Sequence, residues 1–183
     1  MAPKVLVPIA DGSEEIETTG IQDTLVRAGC EVTIASVMPG PLAACKMSRG
    51  IKVLADKTIQ ECASAEWDAI VLPGGMPGAE HLRDCAPLTA LLKKQKADGK
   101  LYAAICAAPA VVFGAHGLQP ANITSYPAFK DKVPNWSEER VVVDGNCVTS
   151  QGPGTAVPFG LKLAELLVSK EKAEEVGKAM LMP

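Results

Sequence analysis

The fold prediction rests first on the stretch Leu101-Tyr102-Ala103-Ala104-Ile105-Cys106-Ala107-Ala108-Pro109. An apolar run of strand character meets a cysteine, and an alanine-rich segment follows at once. The small residues Ala104 and Ala108 suit a tight strand-to-helix turn, and Pro109 suits a first helical turn because no N–H donor is needed there. The geometry expected at Cys106 therefore resembles a nucleophile elbow.

The alternation of apolar strands and helical segments extends along the chain in both directions. Residues 5–9, 32–37 and 69–72 form strand-like runs before this stretch, and residues 141–143 and 148–149 flank a turn after it. Such alternation is typical of a mostly parallel sheet with helices on both faces. We expect an α/β fold with three α/β/α layers, and the length of 183 residues predicts one domain over residues 1–183.

Finer elements follow from turn and capping residues. Ser13 is the predicted N-cap of a helix whose stripe begins at Ile16 and which Gly29 ends. Short strand-like pieces around Leu42 and residues 51–54 indicate a hairpin. Residues 123–126 have strand character, and Ser169 is the predicted cap of a final helix.

Composition and charge limit the partners. The chain has 18 basic and 21 acidic residues, a net charge of −3, and no run of Lys or Arg, so we expect neither nucleic acid nor an anionic membrane as a partner. No apolar stretch approaches the roughly 20 residues of a membrane span. No leader pattern is visible near Met1, and a cytoplasmic location is expected.

Six widely spaced cysteines contain no C-x-x-C pair, which indicates neither a zinc site nor a dithiol redox motif. We expect no metal and no cofactor, and we interpret the thiols as free in a reducing compartment. Cys106 is the candidate for a reactive thiol, because a helix N-terminus stabilises a thiolate. The alternative is a cysteine that only packs in the core.

Glycine-rich loops follow two predicted strands. Gly74 and Gly75 come directly after residues 69–72, where backbone N–H groups can form an oxyanion hole facing Cys106 or simply make a turn. Residues 151–155 open a helix and suit anion contact or capping. Neither loop matches a phosphate-binding or dinucleotide-binding motif.

Acidic and histidine side chains leave alternatives open. Glu14, Glu15 and Glu17 lie in a first helical turn, where carboxylates offset the helix dipole and face water, and spacing does not decide which of them points inward. His116 lies ten residues beyond Cys106, which favours the far end of the following segment over a catalytic base.

Four motifs in order resemble the ThiJ/PfpI family. They are Gly12-Ser13-Glu14-Glu15-Ile16-Glu17, Leu72-Pro73-Gly74-Gly75, Ala103-Ala104-Ile105-Cys106-Ala107-Ala108-Pro109 and Thr149-Ser150-Gln151-Gly152-Pro153-Gly154-Thr155. The similarity is greatest to the branch with the parkinsonism-associated protein deglycase and a bacterial chaperone. It implies a flavodoxin-like sandwich that forms a homodimer.

The resemblance also implies roles for residues. Cys106 is the expected nucleophile and oxidation-sensitive thiol, and Glu17 is the carboxylic acid that shares its proton. Backbone N–H groups of the site are implied at Gly74, Gly75 and Ala107, and substrate contacts are implied at Arg27, Arg49, Tyr126 and Gly154.

The activity implied is conversion of small 2-oxoaldehydes such as methylglyoxal without glutathione, or removal of such adducts from glycated proteins. The alternative is a redox-sensing chaperone with little turnover. Tyr126 stands where many members have a histidine, and Ala107 replaces the histidine of the proteolytic branch, which argues against a protease. Met47 and Leu54 replace additional cysteines of some relatives, so redox sensitivity is concentrated on Cys106.

Overall fold

The computed structural model describes residues 1–183, and a seven-stranded sheet lies at its centre. The strands are β1 (Lys4–Ile9), β2 (Glu31–Ser36), β3 (Ala44–Lys46), β4 (Lys52–Leu54), β5 (Lys57–Thr58), β6 (Ala69–Leu72), β7 (Leu101–Ile105), β8 (Val141–Asp144) and β9 (Cys147–Ser150). The sheet order is β5-β2-β1-β6-β7-β9-β8, and β3 pairs with β4 in a separate hairpin.

Seven α-helices connect and flank these strands. They are α1 (Glu15–Arg27), α2 (Ile59–Cys62), α3 (Gly78–Arg83), α4 (Ala86–Ala97), α5 (Gly114–His116), α6 (Ala156–Leu167) and α7 (Lys170–Ala179). A π-helix (Pro109–Phe113) precedes α5, and two 3-10 helices span Pro127–Lys132 and Pro153–Thr155. No helix combines the length and the hydrophobicity needed to cross a bilayer.

All neighbouring strands of the large sheet run parallel except β8 and β9. Without the edge strands β5 and β8, the order β2-β1-β6-β7-β9 is that of the flavodoxin-like fold. The predicted α/β class is confirmed.

The two faces of the sheet bury two separate cores. In β1, Val5 and Val7 point into one core and Leu6 into the other, as the two-residue period of a strand requires. Helices α1, α6 and α7 contribute to the first core, and α2, α3 and α4 contribute to the second. The molecule therefore has the three layers that the alternation of elements predicts.

The predicted start of α1 is wrong by one residue. Glu14 caps the helix, because its carboxylate accepts a 2.7 Å hydrogen bond from the Glu17 N–H. The Ser13 hydroxyl instead accepts from the Ala10 N–H at 3.0 Å, and Ser13 is fully buried. Ile16, predicted to lie on the apolar stripe, is 57% exposed.

Other expectations are partly met. The hairpin of β8 with β9 forms as predicted, and the Ser169 hydroxyl caps α7 by accepting from the Lys172 N–H. The other predicted hairpin also forms, but its first strand is β3 (Ala44–Lys46) and Leu42 lies outside it. The strand expected at residues 123–126 is wrong, since only one bridge, Ile123 to Trp136, forms there. Helix α3 has no counterpart in the sequence prediction.

The topology places a crevice at the carboxyl ends of β1 and β6. The chain leaves β1 toward β2 on one side and leaves β6 toward β7 on the other, and ligands bind at such a switch point in open parallel sheets. The loops after β1 and β6 touch, because a methyl group on Gly75, whose φ is +83°, would lie 2.6 Å from the Glu14 nitrogen.

Candidate active site

Cys106 has the backbone of an elbow. Its φ of +65° is a left-handed value that costs a non-glycine residue about 1–2 kcal/mol. The turn is held from both sides, since the Cys106 N–H donates to the Ser150 carbonyl at 3.1 Å and the Tyr126 N–H donates to the Cys106 carbonyl at 2.8 Å. A methyl group on Gly74 would lie 2.6 Å from the Cys106 Cβ, so the neighbouring loop must have glycine there.

Glu17 lies against this cysteine and is inaccessible to solvent. Its Oε2 accepts a 2.7 Å hydrogen bond from the Gly74 N–H, whereas its Oε1 is buried and no nitrogen or oxygen donor reaches it. The Cys106 thiol lies beside this carboxyl group, and each of the two groups shifts the pKa of the other. A buried carboxylate oxygen without a donor is costly, and a proton on the carboxyl group, directed at the sulfur, removes the cost.

The pKa values show how strongly the two groups are coupled. Burial raises the pKa of Glu17 to about 7, and the nearby Glu14 charge acts in the same direction. Burial and the ionised Glu17 carboxylate raise the pKa of the Cys106 thiol to about 12, against the opposing effect of N–H groups of Gly75 and Ala107. The N–H groups near the helix N-terminus do favour the thiolate, but burial and the ionised Glu17 outweigh them, and protonation of Glu17 removes one of these two main causes.

The remaining acids of the motif do not face water as the simplest interpretation expected. Glu14 is 6% exposed and Glu15 is 4% exposed. The Glu15 carboxylate accepts from the Ser48 hydroxyl at 2.9 Å and from the Arg49 N–H at 2.7 Å, which ties α1 to the β3–β4 hairpin. Three adjacent carboxylates therefore cap a helix, anchor a hairpin and contact the thiol.

The predicted backbone N–H donors do not all face the Cys106 sulfur. Gly75 and Ala107 present N–H groups to the Cys106 sulfur. Gly74 does not, because its N–H donates to Glu17. The expected role of Gly74 as an oxyanion donor is corrected to a positioning role.

The predicted substrate-contact residues are not all brought together. The Tyr126 backbone N–H is hydrogen-bonded to the Cys106 carbonyl. The Tyr126 ring packs on Gly152, since a methyl group on Gly152 would lie 3.5 Å from the ring Cδ2. Gly154 is exposed, and its carbonyl accepts from the Arg140 guanidinium. Arg49 is exposed beside Glu15. Arg27 is at the far end of α1 in an ion pair with Asp23, and a role in the site stays a prediction.

His116 is engaged elsewhere, as expected. Its Nε2 lies 2.7 Å from the Arg83 carbonyl and 3.2 Å from the Thr89 hydroxyl. Cys106 is the only cysteine that is not buried. No cluster of three or more His, Cys, Asp or Glu side chains is arranged to hold a metal ion.

Two further residues shape the site, one without any predicted role and one whose role the sequence left open. Ser150 supplies the carbonyl that holds the Cys106 N–H, and its hydroxyl lies 2.7 Å from that of Thr155. Glu14 contributes its charge to the Glu17 pKa. The spacing of Glu14 three residues before Glu17 is a capping signal, whereas nothing in the sequence marks a backbone carbonyl.

The fold and the site together define a class, the flavodoxin-like α/β proteins with an elbow cysteine beside a buried glutamic acid. The DJ-1/PfpI family model matches residues 3–166, and the chain belongs to this family.

Individual relatives agree with this assignment. The chain is 45% identical over 184 residues to Protein DJ-1 homolog B of Arabidopsis thaliana. The match covers 98% of this chain but 41% of that relative, so this chain spans less than half of the length of that protein. It is 35% identical to Glutathione-independent glyoxalase DJR-1.2 of Caenorhabditis elegans, with 96% and 94% covered. The solved structure of oxidized Toxoplasma gondii DJ-1 is 50% identical, with a TM-score of 0.94 and 99% of both chains covered.

Proposed function

We propose that the protein converts 2-oxoaldehydes, methylglyoxal among them, to 2-hydroxy acids without glutathione. The observation that carries this proposal is the contact of the Cys106 thiol with the buried Glu17 carboxyl group beside the N–H groups of Gly75 and Ala107. The name of the Caenorhabditis elegans relative supports the same reaction class.

The reaction starts when the proton shared by the pair resides on Glu17. The Cys106 thiolate attacks the aldehyde carbon, and the resulting oxyanion accepts hydrogen bonds from the backbone N–H groups of the site. Glu17 gives its proton to this oxygen and becomes a carboxylate. The product of this step is a neutral hemithioacetal.

The second stage moves hydrogen between two carbons. The Glu17 carboxylate takes the proton from the former aldehyde carbon, and an enediolate forms with its negative charge on the oxygen of the adjacent carbon. Glu17 returns that proton to the adjacent carbon, and the hydroxyl proton of the hemithioacetal passes to the adjacent oxygen, which leaves a 2-hydroxy thioester on Cys106. Water hydrolyses the thioester and releases the thiol, so the net change is addition of one water to methylglyoxal to give lactate.

Removal of each partner tests the proposal. Cys106→Ser should abolish lactate formation because the alkoxide forms far less readily than the thiolate, and Glu17→Gln should reduce it at least a hundredfold because general acid–base transfer is lost. Cys85→Ser is the matched control, since Cys85 is the least buried of the other thiols. Full lactate production by Cys106→Ser contradicts the mechanism.

The same nucleophile extends the proposal to glycated proteins. Cys106 is partly exposed at the surface, whereas the other thiols are enclosed. An aldehyde adduct on a protein amine or thiol therefore has access to the sulfur, and deglycation is the corresponding reaction.

A redox-sensing role is the second candidate. The exposure of Cys106 alone among six cysteines favours it, as does the oxidised state named for the Toxoplasma gondii relative. Peroxide would convert the thiolate to a sulfinate, which the Glu17 acid and the N–H groups of Gly75 and Ala107 would stabilise. Mass spectrometry after mild peroxide should show two added oxygens on Cys106 first, and earlier oxidation of another cysteine would reject this role.

The proposed assembly is a homodimer in the cytoplasm. Ile16, Ile51 and Leu54 are 57%, 58% and 66% exposed, and the Glu15 hydrogen bonds bring the start of α1 to the turn that leads into β4. Exposed apolar side chains on neighbouring elements are typical of protein interfaces. Six cysteines without a disulfide favour a reducing compartment.

A further inference from the structure

The two N–H groups that face the Cys106 sulfur belong to residues anchored on two different short helices. Gly75 supplies one of them, and the Gly75 carbonyl accepts a 2.9 Å hydrogen bond from the Ala79 N–H in the first turn of α3. Ala107 supplies the other, and its carbonyl accepts a 2.9 Å hydrogen bond from the Val111 N–H in the π-helix. The positions of the two donors therefore depend on how α3 and the π-helix lie relative to one another.

His116 joins the far ends of these two helical segments. It is the last residue of α5, which continues the π-helix, and its Nε2 lies 2.7 Å from the carbonyl of Arg83, the last residue of α3. A carbonyl oxygen only accepts hydrogen bonds, so Nε2 carries a proton and donates to Arg83. The Thr89 hydroxyl lies 3.2 Å from the same nitrogen and donates to the Cys85 carbonyl at 3.1 Å, which adds α4 to the junction.

The packing of the two segments does not by itself fix their position along one another. Ala79 and Leu82 of α3 and Val112 and Phe113 of the π-helix are fully buried in the second core. Burial of apolar surface is not directional, so it holds the segments together without setting how far one has slid past the other. A hydrogen bond requires a defined distance and angle, and the bond from His116 therefore sets that position.

We infer that His116 is a positioning residue for the Cys106 site. By its bond to Arg83 it keeps α3 and the π-helix in one relative position, which directs the N–H groups of Gly75 and Ala107 at the sulfur. Its effect on turnover rests on the proposed function, because those N–H groups stabilise the oxyanion of that reaction. Its effect on the thiolate needs no substrate.

The test is the pH dependence of Cys106 alkylation by iodoacetamide in His116→Ala and His116→Gln. One net hydrogen bond corresponds to a factor of about two to ten in an equilibrium constant or a rate. His116→Ala should move the alkylation profile to higher pH and lower the rate at neutral pH by about that factor, and kcat for lactate formation should fall with KM unchanged. His116→Gln should preserve these values, because a glutamine amide N–H can donate to the Arg83 carbonyl. His81→Ala is the matched control, since His81 is exposed on α3.

Urea unfolding of the same variants separates positioning from support of the fold. A purely structural role would lower the free energy of unfolding of His116→Ala and leave the alkylation profile of its folded state unchanged, and this result overturns the inference. A shift of equal size in His81→Ala overturns it as well. Should His116→Ala not fold, His116→Phe retains a ring without the N–H and is expected to show the same shift. Absence of lactate formation in the wild type would reject the proposed function, and the alkylation profiles would still decide the role of His116.

Discussion

Cys106 and Glu17 each have an unfavourable feature that the other explains. The cysteine has a left-handed backbone, and the carboxyl group is buried with one oxygen that no nitrogen or oxygen donor reaches. In the proposed mechanism a shared proton joins them, so that neither group titrates independently. Strain and burial of this kind cluster at functional sites, because a stable fold must hold groups where they would not otherwise remain.

The titration of Glu17 predicts how stability depends on pH. The pKa of its carboxyl group is about 7 in the folded protein and 4.5 ordinarily, so its contribution to stability is present below pH 4.5 and is lost as the pH rises through 7. The shift corresponds to about 3 kcal/mol. We expect the free energy of unfolding of the wild type, relative to Glu17→Gln, to fall by about this amount between pH 4 and pH 8 in urea titrations.

Glu15→Gln provides a control of opposite sign. Burial raises the pKa of Glu15, but hydrogen bonds from its own backbone, from the Ser48 hydroxyl and from the backbone of Arg49 and Ile51 outweigh burial and hold the pKa below its ordinary value. Its contribution to stability is therefore present at neutral pH and is lost as the pH falls. If the free energies of unfolding of the wild type and of Glu17→Gln depend on pH in the same way, the pKa of Glu17 is not raised in the folded protein.

At the scale of elements, the strands were predictable and the loop contacts were not. Residues 69–72 and 101–105 are strands as predicted, because their short length and the glycine or proline residues beside them are typical of buried parallel strands. Ser13 is not the helix cap, because Gly78 packs on the Ser13 backbone and the Ser13 hydroxyl accepts a hydrogen bond from the Ala10 N–H. The contact with Gly78 depends on tertiary structure, which the sequence alone does not show. Spacing did not show which acid meets the thiol, whereas the family resemblance pointed to Glu17.

The contact between α1 and the β3–β4 hairpin predicts the quaternary structure. Ile51→Asp places a charge on the proposed interface, which includes the exposed Ile16, Ile51 and Leu54, so the dimer should dissociate into monomers when its mass is measured by light scattering. Val143→Asp on β8 serves as the control and should stay dimeric. A monomeric wild type, or a dimeric Ile51→Asp, contradicts the proposed interface.

At the scale of the whole molecule, sheet order assembles the site. Glu17 and Gly74 are 57 residues apart in sequence, yet they are hydrogen-bonded because β1, β6 and β7 are consecutive neighbours in the sheet. Two cores of 22 and 21 buried residues, one on each face, hold these strand ends rigidly. This rigidity supports the strained cysteine, which lies near the switch point where open parallel sheets bind ligands.

The central claim is that Cys106 and Glu17 act as one proton-sharing unit, and the most direct test is the pH dependence of Cys106 alkylation by iodoacetamide. Rates should be measured in the wild type and Glu17→Gln, with lactate formation assayed on the same samples. We expect Glu17→Gln to change the pKa of the Cys106 thiol and, in the same samples, to lose lactate formation. Superimposable alkylation profiles, with lactate formation retained, would contradict it.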